Sequence, residues 1–159
     1  MQEEKSKLKA FTSAVTAAAQ ERAAKINAET EQLEREAMED CADDVFAEVR
    51  RRVLELPEQP EYGNTLKEQL WRALDAVPGA RSARVLLRRE DMRFAQSLNA
   101  ASPGVRLSFE EGGFSLGGLV FECAEKGRKI DLSFDAALED LEGRFSEITG
   151  FSLEGADGQ

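Results

Sequence analysis

No proline occurs before Pro57 and no glycine before Gly63, and the run closes on Pro57-Glu58-Gln59-Pro60-Glu61-Tyr62-Gly63. Glycine and proline are the residues that stop helices, so the first 56 residues are written as one uninterrupted helix, about 80 Å long at 1.5 Å per residue. A compact domain built from the roughly 95 residues that follow has a diameter of about 30–35 Å. Folding the helix back on such a domain is the simpler arrangement. Its length instead favours a partner chain laid along it.

The apolar positions describe how that partner would sit. Leu8, Phe11, Val15, Ala19, Ile26, Leu33, Ala37, Cys41, Val45, Val49 and Val53, with Arg22 and Thr30 filling the gaps, advance 45 residues in twelve steps, a mean of 3.75. A heptad seam needs 3.5, whereas an eleven-residue repeat gives about 3.67 and a right-handed supercoil. The triplets Leu8, Phe11, Val15, then Ala19, Arg22, Ile26, then Thr30, Leu33, Ala37 fit the longer repeat. The next triplet, Cys41, Asp44, Glu48, does not, so the pairing is expected to change near Cys41. Leu8, Phe11, Val15, Ala19, Ile26, Leu33 and Ala37 are therefore the candidate seam. Its alanines make the contact thin, which favours a different chain that supplies bulk over a tight homodimer.

Charge narrows the partners. The net charge of −10 opposes nucleic acid, whose phosphates need a basic footprint. Between Glu29 and Glu48 nine carboxylates face Arg35 alone, a pattern read first as a solvated helix face and second as a dock for a basic partner. Arg50-Arg51-Arg52 suits the negative end of the helix dipole. No run of 18 apolar residues is present to span a membrane, and Met1-Gln2-Glu3-Glu4-Lys5 lacks the apolar core of a signal peptide. Cys41 and Cys123 read as reduced cytosolic thiols.

The remaining residues outline a small domain. A break over 57–64 precedes a helix over 65–76 with Leu66, Leu70, Trp71, Leu74 and Val77 on one face, stopped by Pro78-Gly79. Strands are expected at 82–87, 105–109, 116–123 and 128–132, with a short helix over 89–98 and a hairpin turn at Ala124-Glu125-Lys126-Gly127. Ser133 caps a last helix carrying Phe134, Leu138, Leu141, Phe145 and Ile148, which Gly150 ends. The expected fold class is α+β: a long coiled-coil helix (1–56), a break (57–64), a head (65–153) with a mixed four-stranded sheet covered by helices, and a frayed tail (154–159).

Leu116-Gly117-Gly118-Leu119-Val120-Phe121, the turn at Gly127, Ile130-Asp131-Leu132-Ser133-Phe134-Asp135-Ala136-Ala137-Leu138 and the closing Ile148-Thr149-Gly150 together resemble the C-terminal domain of the E subunit family of V-type and archaeal-type ATPases. The likeness extends more loosely through Asp91, Leu66 and the charged N-terminal helix. Ala137 stands where the family usually has arginine, and the helix is shorter than is common there, from a short stalk or from residues upstream. The resemblance implies a cytoplasmic peripheral stalk attached to a membrane complex. In it the helix coils with the G/H subunit (G in V-type, H in archaeal-type enzymes), and the head grips the catalytic A/B hexamer and keeps it from turning with the rotor. Arg81, Arg84, Arg88, Arg89 and Arg93 are the candidate docking residues for an acidic surface of that hexamer; the alternative is a solvated surface offset by Glu90 and Asp91.

Enzymatic chemistry finds few footholds. There is no histidine, and no serine or cysteine has a neighbouring base, so no nucleophile and base pair emerges. Glu110-Glu111 reads as a polar turn before it reads as an acid/base pair. Gly112-Gly113-Phe114-Ser115-Leu116-Gly117-Gly118 lacks the Lys-Ser/Thr of a phosphate loop, so its glycines are assigned to turns and close strand packing. No catalytic group, metal site or cofactor is expected. Two other classes stay open: a stator of a flagellar or type III export ATPase, and a homodimeric coiled-coil adaptor.

Overall fold

The computed structural model describes residues 1–150 of the 159, so the expected tail and the end of the expected head lie outside the described residues. Helix α1 (Gln2–Glu55) is continuous, and contacts divide the chain into two units inside it, residues 1–43 and residues 44–150. In the first unit three threonines return their hydroxyls to the helix: Thr12 donates to the Leu8 carbonyl (2.9 Å), Thr16 to Thr12 (2.8 Å) and Thr30 to Ile26 (2.9 Å).

The second unit is an α+β domain. After the end of α1 come a helical turn (Leu56–Glu58), α2 (Tyr62–Ala76), β1 (Ser82–Leu87), a 3-10 stretch (Arg89–Phe94) running into α3 (Ala95–Ala100), β2 (Arg106–Glu111), β3 (Gly118–Cys123), β4 (Arg128–Ser133), α4 (Phe134–Gly143) and α5 (Phe145–Thr149). The sheet order is β2-β1-β3-β4, mixed: β1 and β2 are parallel, with Ser82 opposite Arg106, and the other two pairings are antiparallel. The mixed four-stranded sheet expected from the sequence is present.

Alternation decides which side of the sheet is covered. Ala83, Val85 and Leu87 of β1 point inward with Leu119, Phe121 and Cys123 of β3, against Leu66, Leu70 and Ala73 of α2, Val77 just beyond it, and Leu98 of α3. Each large side chain buried this way contributes about 1.5–3 kcal/mol of transfer free energy. Ser82, Arg84, Leu86 and Glu122 have the opposite parity. Helices α2 and α3 therefore cover one face of the sheet, where cover had been expected without that restriction.

Several boundaries moved for identifiable reasons. Helix α2 begins at Tyr62, inside the expected break, because the Tyr62 ring is buried and fixes the first turn. Strand β3 begins only at Gly118, because the chain turns into it through positive φ at Gly117 (113°) and Gly118 (83°), which glycine adopts without strain. At Gly118 a Cβ would come within 2.5 Å of the Leu132 carbonyl oxygen, so glycine permits close packing of β3 on β4. Strand β2 runs on to Glu111 because its parallel register continues to Leu87 opposite Glu111. The expected 89–98 helix is split into a 3-10 stretch and α3, and the expected last helix divides into α4 and α5. Trp71, Leu141 and Ile148 were expected on buried faces and are exposed. Trp71 keeps its indole N–H bonded to the Ala101 carbonyl (3.1 Å), which draws the ring to the rim of the core.

At the centre sits one buried polar knot. Tyr62 Oη donates to Asp91 Oδ2 (2.7 Å) and accepts the Gly118 N–H (2.9 Å). Asp91 is fully buried and also accepts Arg88 Nη2 (3.0 Å) and Nε (3.2 Å), while Arg88 Nη1 reaches the Ser115 carbonyl (3.4 Å). Burial, reinforced by the Asp91 carboxylate, pushes the Tyr62 phenol well above its ordinary value, so it stays a donor. Tyr62→Phe strands both Asp91 Oδ2 and the Gly118 N–H without their shared partner, and is expected to lower stability by about 1–3 kcal/mol in urea unfolding. A change below ~0.5 kcal/mol would mean that water or relaxation satisfies both groups.

Candidate functional site

The candidate surfaces are those that the described residues leave uncovered. On α1 all seven candidate seam residues are exposed, among them Phe11 at 67% and Leu33 at 65%. At 3.6 residues per turn, positions 8–37 of the seam fall within an arc of about 100°, one straight stripe along the helix. Past Cys41 the apolar positions leave that arc. Phe46 packs edge-on against Phe145 with ring centroids 5.4 Å apart, and Arg50 pairs with Glu142 at 3.5 Å. The later turns of α1 thus have contacts inside the second unit.

The acidic stretch before those turns is ordinary helix surface as far as Glu48. There the Arg51 and Arg52 guanidiniums draw the exposed carboxyl down to about 2, with Arg51 also bonded to Glu55.

The five arginines of the candidate docking set do not form one surface, which corrects the expectation drawn from their closeness in sequence. Arg84 lies on the outer face of the sheet between Glu122 of β3 and Glu110 of β2 (3.3 Å). Arg88 is committed to buried Asp91, its side chain only 16% exposed. Arg89 pairs with Glu111 (3.2 Å), and Arg93 donates to the Pro57 carbonyl (3.1 Å) with its guanidinium over the Phe94 ring. Arg81 stands at the start of β1, where its backbone N–H donates to Glu125 (3.3 Å). The pairings of Glu110 with Arg84 and of Glu111 with Arg89 send these neighbouring carboxylates to separate partners, so they form no acid/base pair.

A different basic group is brought together by strand pairing. Across the outer face, Glu110, Arg84, Glu122 and Lys129 form a belt over β2, β1, β3 and β4, with Lys129 to Glu122 at 3.6 Å. Beside it lies an open hollow of about 680 Å³ lined by Ser82, Arg84, Arg106, Ser108, Arg128 and Lys129. Arg106 and Arg128 are exposed and make no ion pair among the described residues. Register places Arg106 on the outer face with Ser108, and Arg128 opposite inward-facing Cys123 at the other edge of the sheet. Sequence reasoning missed the belt because its four residues meet only through strand pairing. The other half of the same face carries Leu86 and the buried Val120, and there the Phe114 ring folds over Gly112 beside Leu86.

The residues that carry the resemblance form one hydrogen-bonded corner. Ser133 Oγ donates to Asp131 Oδ1 (2.6 Å) and accepts from the Ala136 N–H (3.2 Å), capping α4 as expected. Phe134 N–H donates to the Gly117 carbonyl (3.0 Å), and a Cβ on Gly117 would lie 2.6 Å from Tyr62 Oη. Asp135 accepts the Ser115 N–H and hydroxyl and the Leu116 N–H (2.8 Å). These glycines and side chains fix backbone and offer no cradle for a phosphate. Among the described residues no group of His, Cys, Asp and Glu could hold a metal ion, and no helix is long and apolar enough to cross a membrane. Cys41 and Cys123 are free, one exposed and one buried. No protein-family model and no curated protein matches the chain.

Asp135 makes the corner sensitive to acid. Partial burial opposes its charge, but the Leu116 and Ser115 N–H groups and the Ser115 hydroxyl outweigh it and hold the carboxyl below its ordinary 3.8. Its stabilising contribution is therefore present above the unfolded value and lost as pH falls through the lower folded one. Asp135→Asn is expected to cost about 1.5–3 kcal/mol at pH 7, with the gap to the parent protein narrowing as the pH falls below the ordinary carboxyl value of 3.8 in unfolding measured across pH. A gap independent of pH would assign the loss to shape alone.

Proposed function

We propose that the chain is a non-catalytic peripheral-stalk subunit of a V/A-type rotary ATPase, pairing through α1 with the G/H subunit and attaching through its head to the catalytic A/B subunits. The observation that carries this reading is the bare stripe on α1: Leu8, Phe11, Val15, Ile26 and Leu33 are each more than half exposed along one arc of a helix. Covering each such side chain is worth up to about 1.5–3 kcal/mol, and a partner helix is the element that covers an arc of this length. The polar residues within the stripe do not oppose it. Thr30 already commits its hydroxyl to the Ile26 carbonyl, and Arg22 carries its charge at the end of a long apolar stem. The corner built from Gly117, Gly118, Ser133 and Asp135 supports the same family through the resemblance of its residues. In this role the protein performs no chemistry: the helix pair resists bending and the head anchors it. It would work on the cytoplasmic side as a peripheral part of a membrane complex.

Coexpression with a G/H subunit, followed by sizing with light scattering, tests the reading. A one-to-one heterodimer is expected, and a stable helical homodimer of the isolated chain with no heterodimer would overturn it. Within the heterodimer Leu33→Asp is expected to weaken pairing by at least about tenfold in Kd, while Glu34→Ala changes it less than about twofold. Equal effects would place the seam on another side of the helix.

A further inference from the structure

We infer that the free edge of β2 is a self-association site: β2 of a second copy of this chain pairs with it antiparallel and extends the sheet across a two-fold axis. Strand β2 stands at the end of the sheet, with β1 on its one paired side. Arg106 and Gly112 donate their N–H groups to the Arg81 (2.9 Å) and Leu87 (2.8 Å) carbonyls, so Ser108 and Glu110 between them also turn their amides towards β1. Leu107, Phe109 and Glu111 turn theirs outward, and among the described residues no loop, cap or side chain bonds to those backbone groups. The opposite edge is blunted, because on β4 the Asp131 carboxylate takes the outward Ser133 N–H (2.9 Å). Between Arg106 and Glu110, β2 has neither a proline nor an inward charge to turn another strand away.

The side chains of β2 describe its own copy as the occupant. Antiparallel pairing joins residues whose amides face the partner, so Leu107 and Phe109 must meet such residues. With the two-fold axis beside Ser108, Leu107 lies opposite Phe109 of the second copy, and these half-buried side chains cover one another at the rim of the inner face. On the outer face the same register sets Arg106 opposite Glu110 of the second copy in both directions. Arg106 has no ion pair among the described residues, and it then adds one cation to the open end of the belt Glu110, Arg84, Glu122 and Lys129. Moving the axis to Leu107 or Phe109 leaves Arg106 opposite Ser108 or Gly112, with no charge to meet, so the charges select one register. The contact is isologous and closes at two copies. A single strand pair is smaller than the ~1,200 Å² of a stable interface, so the dimer is weak, with a Kd of about 0.1 mM. The inference stands on the sheet edge and is independent of the stalk reading.

The test uses the full chain in sedimentation equilibrium from about 10 µM to 1 mM, where the mean mass is expected to rise from one copy towards two. Arg106→Glu and Glu110→Arg each set like charges opposite one another and are each expected to weaken self-association by at least about fivefold. Mixed in equal amounts, the two variants are expected to dimerise again, because in the mixed pair every reversed side chain meets an unlike charge. Leu33→Asp is expected to change the Kd by less than about twofold, since it alters α1 only. Cross-linking gives a readout that survives a reversal variant melting early. Cys41→Ser/Ser108→Cys sets the new thiol against its own copy and is expected to form a disulfide-linked dimer in oxidised glutathione, whereas Cys41→Ser/Lys129→Cys stays monomeric. A parent chain monomeric at about 1 mM, folded reversal variants that do not dimerise when mixed, loss of association in Leu33→Asp, or equal cross-linking at both cysteine positions would each overturn the inference. Heterodimer formation with a G/H subunit is measured on the same reversal variants. Neither substitution touches α1, so its failure there counts against the stalk reading alone.

Discussion

The Tyr62 hydroxyl is the junction on which the head depends. It draws together three segments that are remote in the chain: the first turn of α2, the stretch after β1 that carries Asp91, and the glycine pair that opens β3. A charged carboxylate with no exposure is tolerable only when its lone pairs are filled, and here a phenol and a guanidinium fill them. The same hydroxyl leaves no room for a side chain at Gly117, so the glycine pair follows from where the tyrosine stands. Much of the head's geometry, including the early start of α2 and the late start of β3, traces back to this point.

From that junction the sheet acquires two unlike sides. The inner side is apolar and closed by α2 and α3. The outer side divides in two, with Leu86 and buried Val120 in one half and charged groups standing over the other. Apart from Arg88, the arginine pairs named here are largely solvent-exposed, so they set the pattern of the surface more than the stability of the fold. The outer face thereby alternates cations and carboxylates across all four strands, with Arg106 exposed at its edge.

What was legible in the sequence is what depends on local pattern. The alternation of Ala83, Val85 and Leu87 placed β1 at its observed bounds, Ser133 capped α4, and Gly127 in the left-handed region turned the β3–β4 hairpin. The unbroken N-terminal helix could be read because nothing in it stops a helix. The parts that were misread depend on partners distant in the chain. Trp71 has helical spacing but follows its N–H to Ala101, and Arg88 has the composition of a surface residue but is held by Asp91. Glu110, Arg84, Glu122 and Lys129 are joined only by strand register, which is set by the whole sheet and not by any one neighbourhood. The exposed apolar arc on α1 was legible because an arc is itself a local periodicity.

The threonines of α1 have a further consequence for hydration. A hydroxyl on a contact surface ordinarily holds water that must be removed on association, and removal without replacement is costly. Thr30 has already exchanged that water for the Ile26 carbonyl of its own helix, as Thr12 has for Leu8. Each hydroxyl then offers water only its oxygen lone pairs, and holds it by fewer bonds than a free hydroxyl does. Polar residues kept in this form would add less to the dehydration cost of any surface laid along this helix than free hydroxyls would.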